Sequence, residues 1–201
     1  MPRTTLPTTT RNTYHHGQLR SALIAEARSI LDAGGPEAVG LRETARRVGV
    51  SATATYRHFR DKDSLLAAVA AEGFREFGNT LAEAMRDTGR FSAMGRAYVD
   101  FALAHPGLFR LMFSPIIRER EKYPELVDAA DAAFRGLQSG AEANKAAAEE
   151  DVNASAIAAW ALVHGLSYLL LNRVLPMETA PALLDALLPA QGPPHLPNSR
   201  V

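Results

Sequence analysis

The segment LRETARRVGVSATATYRHF, residues 41 to 59, constrains this chain more than any other feature. It reads as two short helices meeting at a glycine. Leu41, Ala45 and Val48 recur at helical steps and so share one face of the first helix, where the small Ala45 lets a second helix approach closely. Gly49 can adopt the left-handed conformation that turns the chain sharply, Val50 plugs the corner, and Ser51 is placed to cap the second helix. This pattern is a helix-turn-helix, the unit that offers its second helix to a DNA groove. Ala54 or Thr55 and Phe59 face inward in some registers of that helix, leaving Thr53, Tyr56, Arg57 and His58 with polar tips outside.

Charge along the chain agrees with this reading. The formal net charge is zero, yet residues 1 to 62 hold ten Lys or Arg against five Asp or Glu, and the remainder carries the opposite excess. The N-terminal third is the part suited to a polyanion.

Outside this segment nearly every apolar run has helical spacing, and no Val/Ile/Tyr-rich alternation signals strands, so the expectation is an all-α protein. A first helix is expected over 17 to 33, with the stripe Leu19, Leu23, Ala27, Ile30 and Leu31, stopped by Gly34-Gly35 and Pro36. Asp61 caps a much longer helix whose stripe Leu66, Val69, Ala70, Phe74, Phe77, Leu81 and Ala84 could link a small head to a larger body. Further helices are expected at 90 to 104, 106 to 113, 123 to 140, 152 to 172 and 179 to 188. The Thr- and Pro-rich residues 1 to 13 and the Pro-rich 191 to 201 read as flexible ends. The domain expectation is therefore an arm at 1–13, a DNA-binding head at 14–60, a body at 61–190 and a tail at 191–201.

Composition excludes several other functions. With 47% hydrophobic and 22% charged residues and a mean hydropathy of -0.10, the chain has the balance of a globular protein rather than a disordered one. There is no cysteine, which removes disulfides, thiolate catalysis and Cys-ligated metal together. No His-Glu-x-x-His and no Gly-x-x-x-x-Gly-Lys occurs, so neither an enzyme nor a bound cofactor or metal is expected. No run approaches about 20 consecutive apolar residues and no signal-peptide segment opens the chain, which gives the expectation of a cytoplasmic protein without a membrane partner. His15-His16, in the expected arm, reads as a DNA or solvent contact. Glu149-Glu150-Asp151 reads as a complement to a helix N-terminus. A helical interaction protein without sequence-specific DNA binding is the alternative that the same core pattern would serve.

Three motifs in fixed order, YHHGQLRSALIAEA, LRETARRVGVS and TYRHFRDKDSLL, resemble the TetR family of bacterial regulators over residues 14 to 66. The resemblance implies a three-helix DNA-binding head, with a helix-turn-helix whose second helix enters the major groove of a palindromic operator, and a larger helical ligand-binding and dimerisation domain. It places Thr53, Ala54 and Arg57 at base-facing positions, with Arg57 able to take a guanine in a bidentate pair and Arg42 able to reach a base or phosphate. Tyr56, His58 and Lys62 match backbone-contacting positions, with Ser51 and Thr55 as phosphate donors beside them. Thr53 stands where the family often has Gly. Arg3 and Arg11 are candidates for a minor-groove arm.

In the body, Trp160 with His164-Gly165, together with HPGLFRLMF at 105 to 113, resembles the subgroup of this family that carries a C-terminal Trp-His-Gly motif. The resemblance implies a homodimer through the last two long helices, about 152 to 172 and 179 to 188, a surface that Leu183, Leu184, Leu187 and Leu188 suit. Ile157, Trp160, Ala161, His164, Tyr168 and Leu171 share one face of the first of these, and Ala158, Ala159 and Gly165 permit close helix approach. Phe101, His105, Phe109, Met112, Phe113, Phe134, Trp160 and His164 are candidates for an adaptable pocket holding a small-molecule effector, because aromatic and Met side chains with a few polar groups make one. The expected mode is repression relieved when that effector moves the long helix and changes the spacing of the two recognition helices.

Overall fold

Gly35 and Gly49 both adopt a positive φ, and between them they set the geometry of the N-terminal helices. In a computed structural model, residues 16–113, 115–117, 119–144 and 152–188 are described. The expected arm with Arg3 and Arg11, His15 after it, the run Glu149-Glu150-Asp151 and the Pro-rich tail lie outside them. Helix α1 covers His16–Ala38, but its regular part is broken at Gly35, whose φ of 75° and ψ of 178° kink the chain before one further turn from Pro36. The sequence expectation of a stop at the glycine pair is thus met in the backbone, and Pro36 opens the added turn because its fixed φ suits a first helical turn.

Helix α2, Leu41–Val48, ends on Gly49 at φ 80°, and the Val50 N–H reaches back to the Ala45 carbonyl at 2.9 Å. Helix α3 is shorter than expected, Ala52–Tyr56, because the His58 and Phe59 N–H groups both turn back to the Thr55 carbonyl. Phe59 then drops into the core. Helix α4, Lys62–Thr88, starts at a capping box in which the Asp61 carboxylate accepts from the Ser64 N–H at 2.7 Å and the Ser64 hydroxyl accepts from the Asp61 N–H at 3.1 Å. The body continues with α5 (Phe91–Ala104), α6 (Pro106–Phe113), α7 (Pro124–Asn144), α8 (Val152–Leu171) and α9 (Ala180–Leu187). Short 3-10 turns lie at Arg120–Lys122 and Met177–Thr179, and no strand occurs among the described residues.

Helix α4 is the spine. It packs against α1 on one side and α5, α6 and α7 on the others, so one apolar cluster runs from Leu23 and Ile24 through Leu66 and Val69 to Leu108, Met112 and Leu170. Each such fully buried side chain contributes roughly 1.5–3 kcal/mol by leaving water. Gly73 is what lets α6 cross α4 closely, since a Cβ there would lie 2.8 Å from a Leu108 methyl. Polar ties join the head to the body: Arg28 of α1 pairs with Glu76 of α4 and reaches the His105 Nδ1 at 3.2 Å, and Arg20 meets Glu125 at 2.7 Å.

By length and composition alone α8 could cross a membrane. Its two faces account for that apolarity differently. Ala156, Val163, Leu166, Ser167 and Leu170 are buried toward α5 and α7, whereas Ile157, Leu162, Tyr168 and Leu169 remain exposed.

Candidate nucleic-acid interface and ligand cavity

The α2–α3 unit presents a narrow outward surface. Ser51 caps α3 by accepting from the Ala54 N–H at 3.2 Å, which fixes the helix relative to the Gly49 turn and still leaves the hydroxyl proton free to donate. Thr53, Tyr56 and Arg57 project outward, with Tyr56 49% exposed, and Arg42 projects from the first turn of α2. Ala54 and His58 are half-buried at the edge of this surface.

Thr55 departs from its expected role. Its side chain is completely buried, and its hydroxyl finds no hydrogen-bond partner among the described residues, so it is a core residue turned away from the outward surface. With one inward residue per helical turn on so short a helix, Thr55 and Phe59 share the face that packs on the core. Lys62 is tied to the end of α1, donating to the Glu37 carbonyl at 3.3 Å, and keeps two further ammonium protons for other acceptors.

Beside Arg42, the carboxylate of Glu43 accepts from Arg46 at 2.7 and 2.8 Å and from Arg47 at 2.8 Å. These hydrogen bonds hold the Glu43 carboxyl down at a pKa of about 2. The three side chains together leave a net positive charge on the exposed face of α2.

The body forms a partly open cavity of about 440 Å³ between α4, α5, α6, α7 and α8, within the range of about 300–1,000 Å³ common for small-molecule sites. Phe74, Phe77 and Leu81 line it from α4, Tyr98 from α5, Phe113 from α6, and Trp160 from α8. Helix α7 supplies Val127, Ala130, Ala133, Phe134 and Leu137, with Asp131 beside them, and the turn before α7 supplies Arg120. Edge-on aromatic contacts hold these walls, with Phe77 and Tyr98 ring centres 4.9 Å apart and Phe74 and Phe113 5.3 Å apart.

Of the eight pocket candidates from the sequence, Phe113, Phe134 and Trp160 line this cavity. The other five do not. Phe101, Phe109 and Met112 are sealed in the core behind the wall, Phe101 and Met112 against α4 and Phe109 between Tyr98 and His164. His105 lies at the α5–α6 junction, where Arg28 and Phe101 engage it. His164 stands behind the wall, 2.8 Å from the Tyr98 hydroxyl, which also accepts from the Trp160 indole at 3.0 Å. Burial pushes the His164 imidazole below its ordinary pKa and the Tyr98 phenol well above its own. The wall residues from α4, those from α7 other than Phe134, Tyr98 and Arg120 are not marked by the sequence as pocket residues. Phe74 and Phe77 had been assigned to a packing stripe, which they also serve, and nothing in the REREK run marks Arg120 as facing inward.

On the outside, the α8 face is not continuous as the spacing suggests. Trp160 and His164 turn into the chain, whereas Ile157, Ala161 and Tyr168 turn out. A Cβ on Gly165 would meet nothing within 4 Å, so this glycine serves no close approach inside the chain. In α9, Leu184 is buried within the chain, Leu183 and Leu188 are half-buried against the core, and Leu187 is 42% exposed. Arg96 fastens α9, donating to the Leu184 and Leu188 carbonyls and to Asp185.

Two family profiles match the chain: bacterial regulatory proteins, tetR family, over residues 23–69, and tetracyclin repressor-like, C-terminal domain, over residues 91–190. No curated protein matches. Among solved structures, a protein of unknown function from Rhodococcus sp. RHA1 is 32% identical, with a TM-score of 0.72 over 89% of this chain and 97% of that one. A bacterial regulatory protein in the tetR family from Rhodococcus RHA1 is 23% identical, with a TM-score of 0.60 over 86% and 96%. The TetR family transcriptional regulator PfmR from Thermus thermophilus is 20% identical, with a TM-score of 0.57 over 83% and 96%, and shares the fold. Both halves of the chain are thus accounted for by one family's parts, in that family's order, and the chain belongs to the TetR family of DNA-binding, non-enzymatic transcriptional regulators.

Proposed function

We propose that the chain works in the cytoplasm as a homodimeric repressor that leaves a palindromic operator when a small molecule occupies the body cavity. The head at 14–60 carries DNA contact, and the body at 61–190 carries pairing and sensing. Arg57 and Thr53 read base edges, Ala54 allows close approach, and Arg42, Ser51, Tyr56, His58 and Lys62 hold the phosphates.

One observation carries this reading: α4 is a single 27-residue helix joined to the head at one end and walling the cavity with Phe74, Phe77 and Leu81 further along. At about 1.5 Å per residue it spans roughly 40 Å, so a small tilt at the cavity becomes a displacement of the head. Helix α6 supports the same coupling, since Phe113 at one end lines the cavity and Gly107 at the other lies against α1, where a Cβ would be 3.2 Å from the Leu31 carbonyl. A ligand shifts the equilibrium only by binding one arrangement more tightly than the other.

Pairing through α8 and α9 is favoured by the exposed Ile157, Leu162, Tyr168, Leu169 and Leu187, an apolar surface that a second copy would cover.

Footprinting over the DNA flanking the protein's own gene tests the reading. The expected result is a protected palindrome with half-sites centred about 34 Å apart, or a multiple of that, and a steep loss of affinity with salt. Uniform binding to all sequences would refute it.

A further inference from the structure

Arg120 is unlike Arg20, Arg28 and Arg96, three arginines that bridge elements of this fold. Arg20, Arg28 and Arg96 each meet a carboxylate, Glu125, Glu76 and Asp185 respectively. Arg120 has no acidic partner among the described residues, although it is half-buried and its guanidinium lies over the Phe74 ring, 5.7 Å from the ring centre. Burial alone acts on its charge, with no neighbouring carboxylate to offset the cost, and lowers its pKa from the ordinary value. This uncompensated cation lines a cavity whose other walls are almost wholly aromatic and aliphatic. The one other charged side chain lining it among the described residues, Asp131, is exposed to solvent, where its charge is screened.

We propose that the cavity binds an amphipathic organic anion, with its apolar body against Phe77, Phe134 and Trp160 and its single acidic group paired with Arg120. The proposal rests on the cavity being the effector site. A guanidinium offers planar, paired donors that match a carboxylate, sulfonate or phosphate, and it is less costly to desolvate than an ammonium. A cationic ligand would be repelled by this half-buried positive charge, and a wholly neutral one would leave it uncompensated.

The chain's single tryptophan, Trp160, stands in the cavity wall, so its fluorescence reports occupancy there. The test uses two dyes of the same ring skeleton on the full chain: 8-anilinonaphthalene-1-sulfonate and its uncharged counterpart N-phenyl-1-naphthylamine. Both should quench Trp160. Arg120→Gln should weaken the sulfonate about tenfold and the amine less than about twofold, because only the first loses a charge-assisted bond. Arg120→Lys should retain most of the sulfonate affinity. Equal effects of Arg120→Gln on both dyes, or equal losses in the Gln and Lys variants, overturn the anion assignment while leaving the cavity as a ligand site. Absence of Trp160 quenching by either dye in the wild type refutes the cavity reading, and the proposal falls with it.

Discussion

The Trp160 indole donates to the Tyr98 hydroxyl at 3.0 Å, tying the wall of the cavity on α8 to the buried centre of α5. The Tyr98 hydroxyl also lies 2.8 Å from the His164 Nδ1, and an imidazole protonated on Nε2 accepts the phenol proton there. Removing the hydroxyl strands both neighbours. Tyr98→Phe should cost about 1–3 kcal/mol, read from urea unfolding with an unchanged denaturant slope, and should shift the Trp160 emission in the folded state.

The same chain of bonds gives the fold a pH dependence. Because burial holds the folded His164 pKa below the ordinary 6.5, the unfolded state binds more protons in the window between the two values. Stability is then complete above about pH 7 and falls as pH drops below about 6.5, since the imidazole must stay neutral to accept from Tyr98. Melting temperatures at pH 7.5 and 5.5 should differ less in His164→Gln than in the wild type, as the amide keeps an acceptor without titrating. A dependence that persists undiminished in the variant would place its origin elsewhere.

Thr55→Val separates a core role from a DNA role. The substitution keeps the shape and removes a buried hydroxyl with no protein partner, so it should be neutral or stabilise by up to about 1 kcal/mol. Operator affinity should stay within about threefold, a change of under about 1 kcal/mol. A large, salt-sensitive loss of DNA binding in a fully folded variant would show that Thr55 reaches the phosphates after all.

Arg57 and Lys62 should fail differently. Truncating an exposed base-reading arginine should cost about 1–3 kcal/mol at the operator and relax sequence preference at one position of each half-site. Lys62→Ala should weaken specific and non-specific DNA alike and reduce the salt slope by about one. Gel-shift titrations at two or more salt concentrations read both.

Leu162→Glu places a charge on the exposed face of α8 without touching the buried face. Sedimentation should then report a monomer with little change in helix content, and operator affinity should collapse because two half-sites no longer share one binder. A dimer of unchanged strength would move the interface off this face.

The local signals read well in the sequence for definite reasons. Leu41 to Val48, Gly49, Ser51 and Asp61 carry their structure in short-range chemistry: an apolar period, a residue that tolerates positive φ, and oxygen-bearing caps. Such features depend on neighbours three or four residues away. The helix boundaries around Pro106 and Pro124 follow from proline's fixed φ in the same way.

Which faces meet is another matter. Spacing puts Phe101, Phe109, Phe113 and Trp160 into one class, apolar and helical. Only the packing of α5 and α6 on α4 sends Phe109 behind the wall and Phe113 into the cavity. Likewise Thr55 and Tyr56 are adjacent in α3, and the turn at Gly49 decides that one is buried and the other exposed. Arg120 shows the limit most plainly. Nothing within a few residues of it differs from an ordinary surface run, and its partial burial arises because α4 and α7 come together around it from distant parts of the chain. The helices, their caps and the DNA-reading unit were legible in the order of residues because they rest on local backbone chemistry. The cavity and its charge came only from the packing, because they exist between elements far apart along the chain.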